Sequence, residues 1–104
     1  MSTTTMVVAM TYSRENTSTS PAAPLAGVSV IDLGQYIAGP GAAMALGDLG
    51  ATVIKVEPMT GDQARHVGRY GEAMVRAYNR GKRSIALDLK SESGREVAWR
   101  LIAQ

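Results

Sequence analysis

The sequence predicts an α/β fold: a Rossmann-like parallel βαβ unit, extended by one more strand and one more helix. Three observations predict it. Residues 28–33 ("VSVIDL"), 52–57 ("TVIKVE") and 84–89 ("SIALDL") are runs of strand length rich in β-branched and apolar residues, as parallel strands covered on both faces require. Between the first two lies a glycine-rich turn followed by small residues, the composition of a loop and crossover helix. The last segment opens with a helix-capping signal and carries an amphipathic stripe.

The elements follow in order. Residues 1–23 are rich in Ser and Thr, lack periodicity and end in a Pro-Ala segment. Such a stretch buries too little apolar surface to offset its ordering entropy. It is expected to be a disordered tail, with a short edge strand over residues 6–10 as the alternative. Residues 24–104 are expected to form the structured part. After the strand at 28–33 comes a crossing loop at 34–39. Pro40 suits the first helical turn, where its missing N–H costs nothing, and the helix runs to about residue 49. Gly50 stops it in the left-handed cap position. In the strand at 52–57, alternation puts Val53 and Lys55 on one face, Ile54 and Val56 on the other. Strand, helix and strand in this order make a right-handed unit.

Gly61, Gly68 and Gly71 break up the next segment, which is expected to be a loop with a short helix near residues 72–78. The strand at 84–89 follows. A helix then starts near residue 92, with Ser93 as N-cap, Glu96 completing a capping box, and Val97, Ala98, Leu101 and Ile102 as its apolar stripe. That stripe is still running at Gln104. Three strands and about two helices form a thin core that rarely stands alone. The chain is therefore expected to be a truncated piece or half of an assembly.

Composition narrows the function classes. A length of 104 residues allows one small domain. Eleven Lys and Arg against nine Asp and Glu leave a net charge of +2, too small an excess to imply a nucleic-acid partner. The chain has no cysteine, hence no disulfide framework and no thiolate metal site. A single histidine, His66, cannot build a histidine metal site, and no metal is expected. No apolar run approaches the ~20 residues of a bilayer span. The run at 6–10 is too short for a signal sequence and has no basic residue before it. A cytoplasmic protein with no membrane partner is expected.

The turn itself raises a question. A dinucleotide-binding fingerprint read from Gly39 runs Gly39-Pro40-Gly41-Ala42-Ala43 and then meets Met44 where a glycine belongs. Glu57 lies at roughly the 20-residue distance of a ribose-binding acid. The stretch reads as a nucleotide-binding turn adapted to something other than NAD. A basic cluster of Arg80, Lys82, Arg83 and Lys90 offers cations for phosphates; its plain alternative is a solvated charged loop. Asp32 is read as a cap for the loop after its strand, Asp48 as an exposed helix residue, and Glu57 as a strand-end hydrogen-bond acceptor. His66 sits in a glycine-flanked loop without a carboxylate at fixed spacing, which argues against catalysis.

Taken together, "PLAGVSVIDLGQYIAGPGAAMALGDLGATVIKVEP", then Gly61-Asp62 with Arg65, then "NRGKRSIALDLKSESGRE" resembles the N-terminus of the class III CoA-transferases. This is the CaiB/BaiF family, which includes α-methylacyl-CoA racemase. The resemblance covers residues 24–104 and rests on three motifs in the family's order. It implies the Rossmann-like parallel βαβ part of the family's large domain, with coenzyme A as ligand. The phosphates of CoA sit differently from those of NAD, so a third glycine is not required. The resemblance places CoA contacts on Ile37 and Ala38 in the turn, and on Leu87, Asp88, Leu89 and Lys90 after the third strand. Lys90 becomes the phosphate contact of choice, while Arg80, Lys82 and Arg83 stay open. Many members carry an arginine beside the adenine where this chain has Pro58.

The function implied is transfer of CoA between an acyl-CoA and a carboxylic acid, within acyl-CoA metabolism. A racemase-type piece and a non-catalytic CoA- or nucleotide-binding half-domain are the alternatives. In the transferase chemistry an aspartate attacks the acyl-CoA carbonyl, giving a mixed anhydride and CoA thiolate, which then forms an aspartyl-CoA thioester. The acceptor acid completes the exchange. That aspartate is expected beyond Gln104, as is the racemase histidine, so this chain is expected to hold no catalytic residue and to be inactive alone. Interlocked homodimers are expected for full-length members.

Overall fold

A computed structural model describes residues 8–12 and 23–104. Four strands form one sheet in the order β1 (Val8–Tyr12), β2 (Val28–Asp32), β3 (Thr52–Glu57) and β4 (Arg83–Ala86). β2, β3 and β4 are parallel, with Val30 opposite Val53 and Val56 opposite Ile85. The three predicted parallel strands are thus present. β1 adds to the other edge of β2 in antiparallel sense, with Val8 opposite Asp32 and Tyr12 opposite Val28. This departs from the disordered tail expected over residues 1–23. Composition judged the segment by what it could bury, whereas the free edge of β2 supplies a backbone ladder whatever the segment's polarity. Residues 1–7 and 13–22 lie outside the described residues.

The crossover from β2 to β3 carries helix α1 (Ala38–Asp48). Pro40 falls in its first turn, and Gly50 leaves it at φ +106°, as read from the sequence. The crossover from β3 to β4 holds 3₁₀ turns at Gln63–His66 and Gly68–Tyr70, then helix α2 (Gly71–Tyr78). Helix α3 (Glu92–Ile102) follows β4.

Strand alternation sorts the core into two layers. On one face Val28, Val30 and Val53 bury against Ala43 of α1, with Leu25, Leu46 and Ala51 packed around them. On the other, Ile31, Val56 and Leu87 bury against Ala98 of α3, with Ile54, Val97 and Leu101 alongside. Each fully buried Val or Ile contributes about 1.5–3 kcal/mol.

Two boundaries differ from expectation. β4 ends at Ala86 rather than Leu89. Leu87 N still donates to Glu57 O at 2.9 Å, but the Asp88 carboxylate then accepts from Lys90 N at 3.0 Å and turns the chain. The N-cap of α3 is Ser91, not Ser93: Ser91 Oγ accepts from Gly94 N at 3.0 Å. Glu96 instead pairs with Arg100 one turn on, at 2.8 Å.

Candidate functional site

The carboxyl ends of β2, β3 and β4 open into a cleft of about 380 Å³. Leu33 and Gln35 enter it from the end of β2, Val56, Pro58, Met59 and Thr60 from β3, and Leu87, Asp88, Leu89 and Lys90 from β4. Its floor is apolar, with Leu87 and Val56 buried. Its rim is open, with Met59 69 % exposed. Ligands of open α/β sheets bind at this end of the strands, and the volume lies within the ~300–1,000 Å³ usual for small-molecule sites.

Among the described residues, the turn after β4 leaves the Lys90 cation without an ion pair. Asp88 O accepts from Ser91 N at 3.1 Å and from Ser91 Oγ at 2.8 Å. Arg95 Nη1 donates to Lys90 O at 2.8 Å and to Leu89 O at 3.2 Å. A Cβ on Gly94 would run into Asp88 O, so only glycine lets the first turn of α3 sit this close. The backbone of residues 88–90 is therefore pinned to α3. The Lys90 side chain is exposed and enters no ion pair among the described residues.

Beneath the turn from β2 to α1 lies a buried charge cluster. Lys55 Nζ meets Asp62 Oδ2 at 2.8 Å and donates to Gly34 O at 3.0 Å, with Asp32 Oδ2 at 3.9 Å. Lys82 Nζ donates to Asp32 Oδ2 at 2.7 Å, Pro40 O at 2.8 Å and Asn79 Oδ1 at 2.9 Å. Asp32 Oδ1 accepts from Gly34 N at 2.8 Å, the loop cap read from the sequence. Asp62 Oδ1 accepts from Ala64 N at 2.9 Å and from Tyr36 N at 3.2 Å. Its Oδ2 faces the Lys55 ammonium as an ion pair at 2.8 Å. All four charged side chains are 2 % exposed or less. Burial works to raise the Asp62 pKa, but Lys55 and the two amides outweigh it and hold the carboxyl below its ordinary value. Burial lowers that of Lys82, against the pull of Asp32.

Leu87, Asp88, Leu89 and Lys90 come together in the cleft, and Pro58 stands in its wall. Ile37 and Ala38 do not line it; they stand exposed at the head of α1, just beyond Gln35, which does. The basic cluster disperses. Arg80 pairs with the exposed Asp48 at 2.6 Å, and Lys82 is committed to Asp32, which removes it from the phosphate candidates. Glu57 pairs with Arg65 at 2.8 Å on the opposite face from the cleft, which leaves it no ribose-binding role there. His66 Nε2 lies 3.1 Å from Thr60 O on the surface. Among the described residues, no cluster of three or more His, Cys, Asp or Glu is placed to hold a metal ion. Among them, too, no helix is long and apolar enough to cross a membrane. Sequence reasoning missed Lys55 and Asp62. The available signal was a lysine inside an apolar strand, on the face that alternation turns toward α1.

Comparison with known proteins agrees with this layout. A family model described as CoA-transferase family III matches residues 25–104. The chain is 46 % identical over 90 residues to a succinate–glutarate CoA-transferase of Agrobacterium fabrum, covering 76 % of this chain and 22 % of that protein. It is 45 % identical over 85 residues to the human succinyl-CoA:glutarate CoA-transferase, covering 77 % and 19 %. The crystal structure of a CaiB/BaiF family protein from Brucella suis superposes with a TM-score of 0.73 at 45 % identity, over 80 % of this chain and 24 % of that one. The chain spans less than a quarter of the length of the curated relatives it matches.

Proposed function

This chain belongs to CoA-transferase family III, and from that premise we propose that its cleft is part of a coenzyme A site. The enzyme it serves moves CoA between an acyl-CoA and a carboxylic acid. The observation that carries the reading is the cleft at the strand ends, with Lys90 free at its rim above an apolar floor. Leu33, Val56 and Leu87 suit a flat apolar group, and Pro58 and Met59 offer the adenine contact surface without a guanidinium. The Lys90 ammonium suits a phosphate, as a strongly hydrated point charge within reach of solvent. At the head of α1 the exposed Ala38 precedes the first helical bond, Gly41 N to Ile37 O at 2.7 Å, and its amide is offered to an anion.

Ile37, Ala38, Leu87, Asp88, Leu89 and Lys90 are the proposed contacts. The chemistry asked of these residues is binding and orientation: they hold CoA while a carboxylate nucleophile takes the acyl group. No residue of this chain is assigned that nucleophilic role, and the chain alone is expected to turn over no acyl-CoA. A role in acyl-CoA metabolism and assembly as an interlocked homodimer follow from family resemblance, a cytoplasmic location is carried over from the sequence reading, and all three belong to the same proposal.

Calorimetry with CoA, adenosine and NAD on the chain and on Lys90→Ala tests the reading. A charge-assisted contact contributes about 1.5–3 kcal/mol, so Lys90→Ala is expected to weaken CoA roughly tenfold to a hundredfold. Adenosine, which has no phosphate, is expected to bind both proteins alike. Equal CoA affinity in the two removes Lys90 from the site. NAD binding tighter than CoA overturns the ligand assignment.

A further inference from the structure

The turn from β2 into α1 is held against its own preference. Tyr36 has φ +64°, in the left-handed region that a residue with a Cβ enters at a cost. Glycine would occupy that region freely. The groups that hold Tyr36 there converge from one place. Its amide donates to Asp62 Oδ1 at 3.2 Å, and the carbonyl of Gly34, two residues earlier, accepts from Lys55 Nζ at 3.0 Å. Asp62 and Lys55 are themselves paired at 2.8 Å and are 0 % and 2 % exposed. At the surface, Tyr36 Oη donates to Gln63 Oε1 at 2.8 Å and Gln63 N donates to Gln35 Oε1 at 3.0 Å.

One buried carboxylate therefore stands behind the turn, bonded to it directly and through its ammonium partner. The carboxylate is fixed in turn by capping its own 3₁₀ turn through Ala64 N at 2.9 Å. Being fully buried, it touches no ligand itself. What the turn presents to solvent is Ile37, 46 % exposed, and Ala38 beside it.

We infer that Asp62 is a positioning residue of the coenzyme A site: through the Tyr36 amide and Lys55 it fixes the left-handed turn that presents Ile37 and Ala38. The inference rests on the CoA reading above. It explains why a tyrosine keeps a conformation suited to glycine, since the ion pair supplies from below what the side chain forfeits.

The test compares the 104-residue chain with Asp62→Ala and Asp62→Asn, each with and without Tyr36→Gly. CoA affinity is measured by calorimetry where circular dichroism shows each protein folded, and exchange of the Tyr36 amide by NMR. Asp62→Ala is expected to bind CoA on the order of tenfold more weakly. Asp62→Asn, of nearly the same volume and still carrying an acceptor, is expected to bind about threefold more weakly. Both are expected to show faster exchange at Tyr36. Tyr36→Gly, free of the left-handed penalty, is expected to recover part of the loss in either background. A role confined to global stability would give no such recovery. If Asp62→Ala does not fold, the Asp62→Asn pair decides alone. Unchanged CoA affinity in Asp62→Asn, or a loss that Tyr36→Gly leaves untouched, overturns the inference. Absence of CoA binding by the unsubstituted chain instead overturns the CoA reading on which it rests.

Discussion

Gly94→Ala is the substitution for which local propensity and tertiary structure predict opposite signs. Gly94 is the third residue of α3, and alanine in a helix interior is favoured over glycine by about 1 kcal/mol. An added Cβ here, however, would run into the carbonyl oxygen of Asp88, with Asp88 C at 2.7 Å and Ser91 Oγ at 2.9 Å. The obstacle is backbone, so no side-chain rotation relieves it. Either α3 moves outward or the turn at 88–90 shifts, and the bonds from Ser91 N and Oγ to Asp88 O weaken. Overpacking of this kind costs typically 1–3 kcal/mol, and each weakened bond up to ~1 kcal/mol more. The expected net effect is a destabilisation of up to about 4 kcal/mol after the propensity gain is subtracted. Urea unfolding followed by circular dichroism measures it, with Ser93→Ala on the exposed side of the same turn as control, expected within ~0.5 kcal/mol of wild type. An unfolding midpoint for Gly94→Ala at or above that of wild type would refute the argument. The turn that shifts also carries Lys90, so the folded variant should bind CoA more weakly as well.

Four further outcomes follow from the charges. Lys82→Met leaves Asp32 buried with its remaining ammonium 3.9 Å away, so a loss of about 3–5 kcal/mol is expected. Arg80→Ala breaks a pair exposed by 58 % and 53 % and should change the urea midpoint by the equivalent of ~1 kcal/mol at most. Asp62 titrates in the folded chain below its ordinary 3.8. Its stabilising contribution is therefore complete above 3.8 and lost as pH falls from there through the folded value. Stability measured across the acid limb should fall less steeply in Asp62→Asn, and an identical slope would count against the pairing with Lys55. The Lys82 ammonium titrates below its ordinary 10.5 because of burial. Stability should rise with pH between the folded value and 10.5, and Lys82→Met should lack that rise.

Much of the fold was legible because its signals are local. Strand runs, Pro40, Gly50 and the period of 52–57 each report on a few neighbouring residues, and the structure keeps them, with the third strand shortened to Arg83–Ala86. Ser91 displaced Ser93 as the cap because Asp88 O, packed against Gly94, fixes where α3 starts. That contact is tertiary and has no signature in a capping box. β1 was legible only as the alternative edge strand at residues 6–10, and lies two residues further on, since its partner is a sheet edge and not its own composition. Of the candidate site, the grouping of Leu87 to Lys90 was legible through resemblance to a family, and the cleft brings those four together. Lys82 stayed open because a lysine in a basic run looks alike whether it faces solvent or Asp32. Only burial separates the two, and burial depends on α1, α2 and β2 together.

The most direct test of a coenzyme A site in the strand-end cleft is an amide NMR titration of the isotope-labelled chain with CoA. The account predicts that the amides which shift are those of Ile37, Ala38 and residues 87–90, with Gln35 and Met59 beside them. The second opening, lined by Glu57, Arg65, Arg76 and Arg80 on the other face, should stay unmoved. Shifts confined to that second opening, with residues 87–90 unperturbed at saturating CoA, would contradict it.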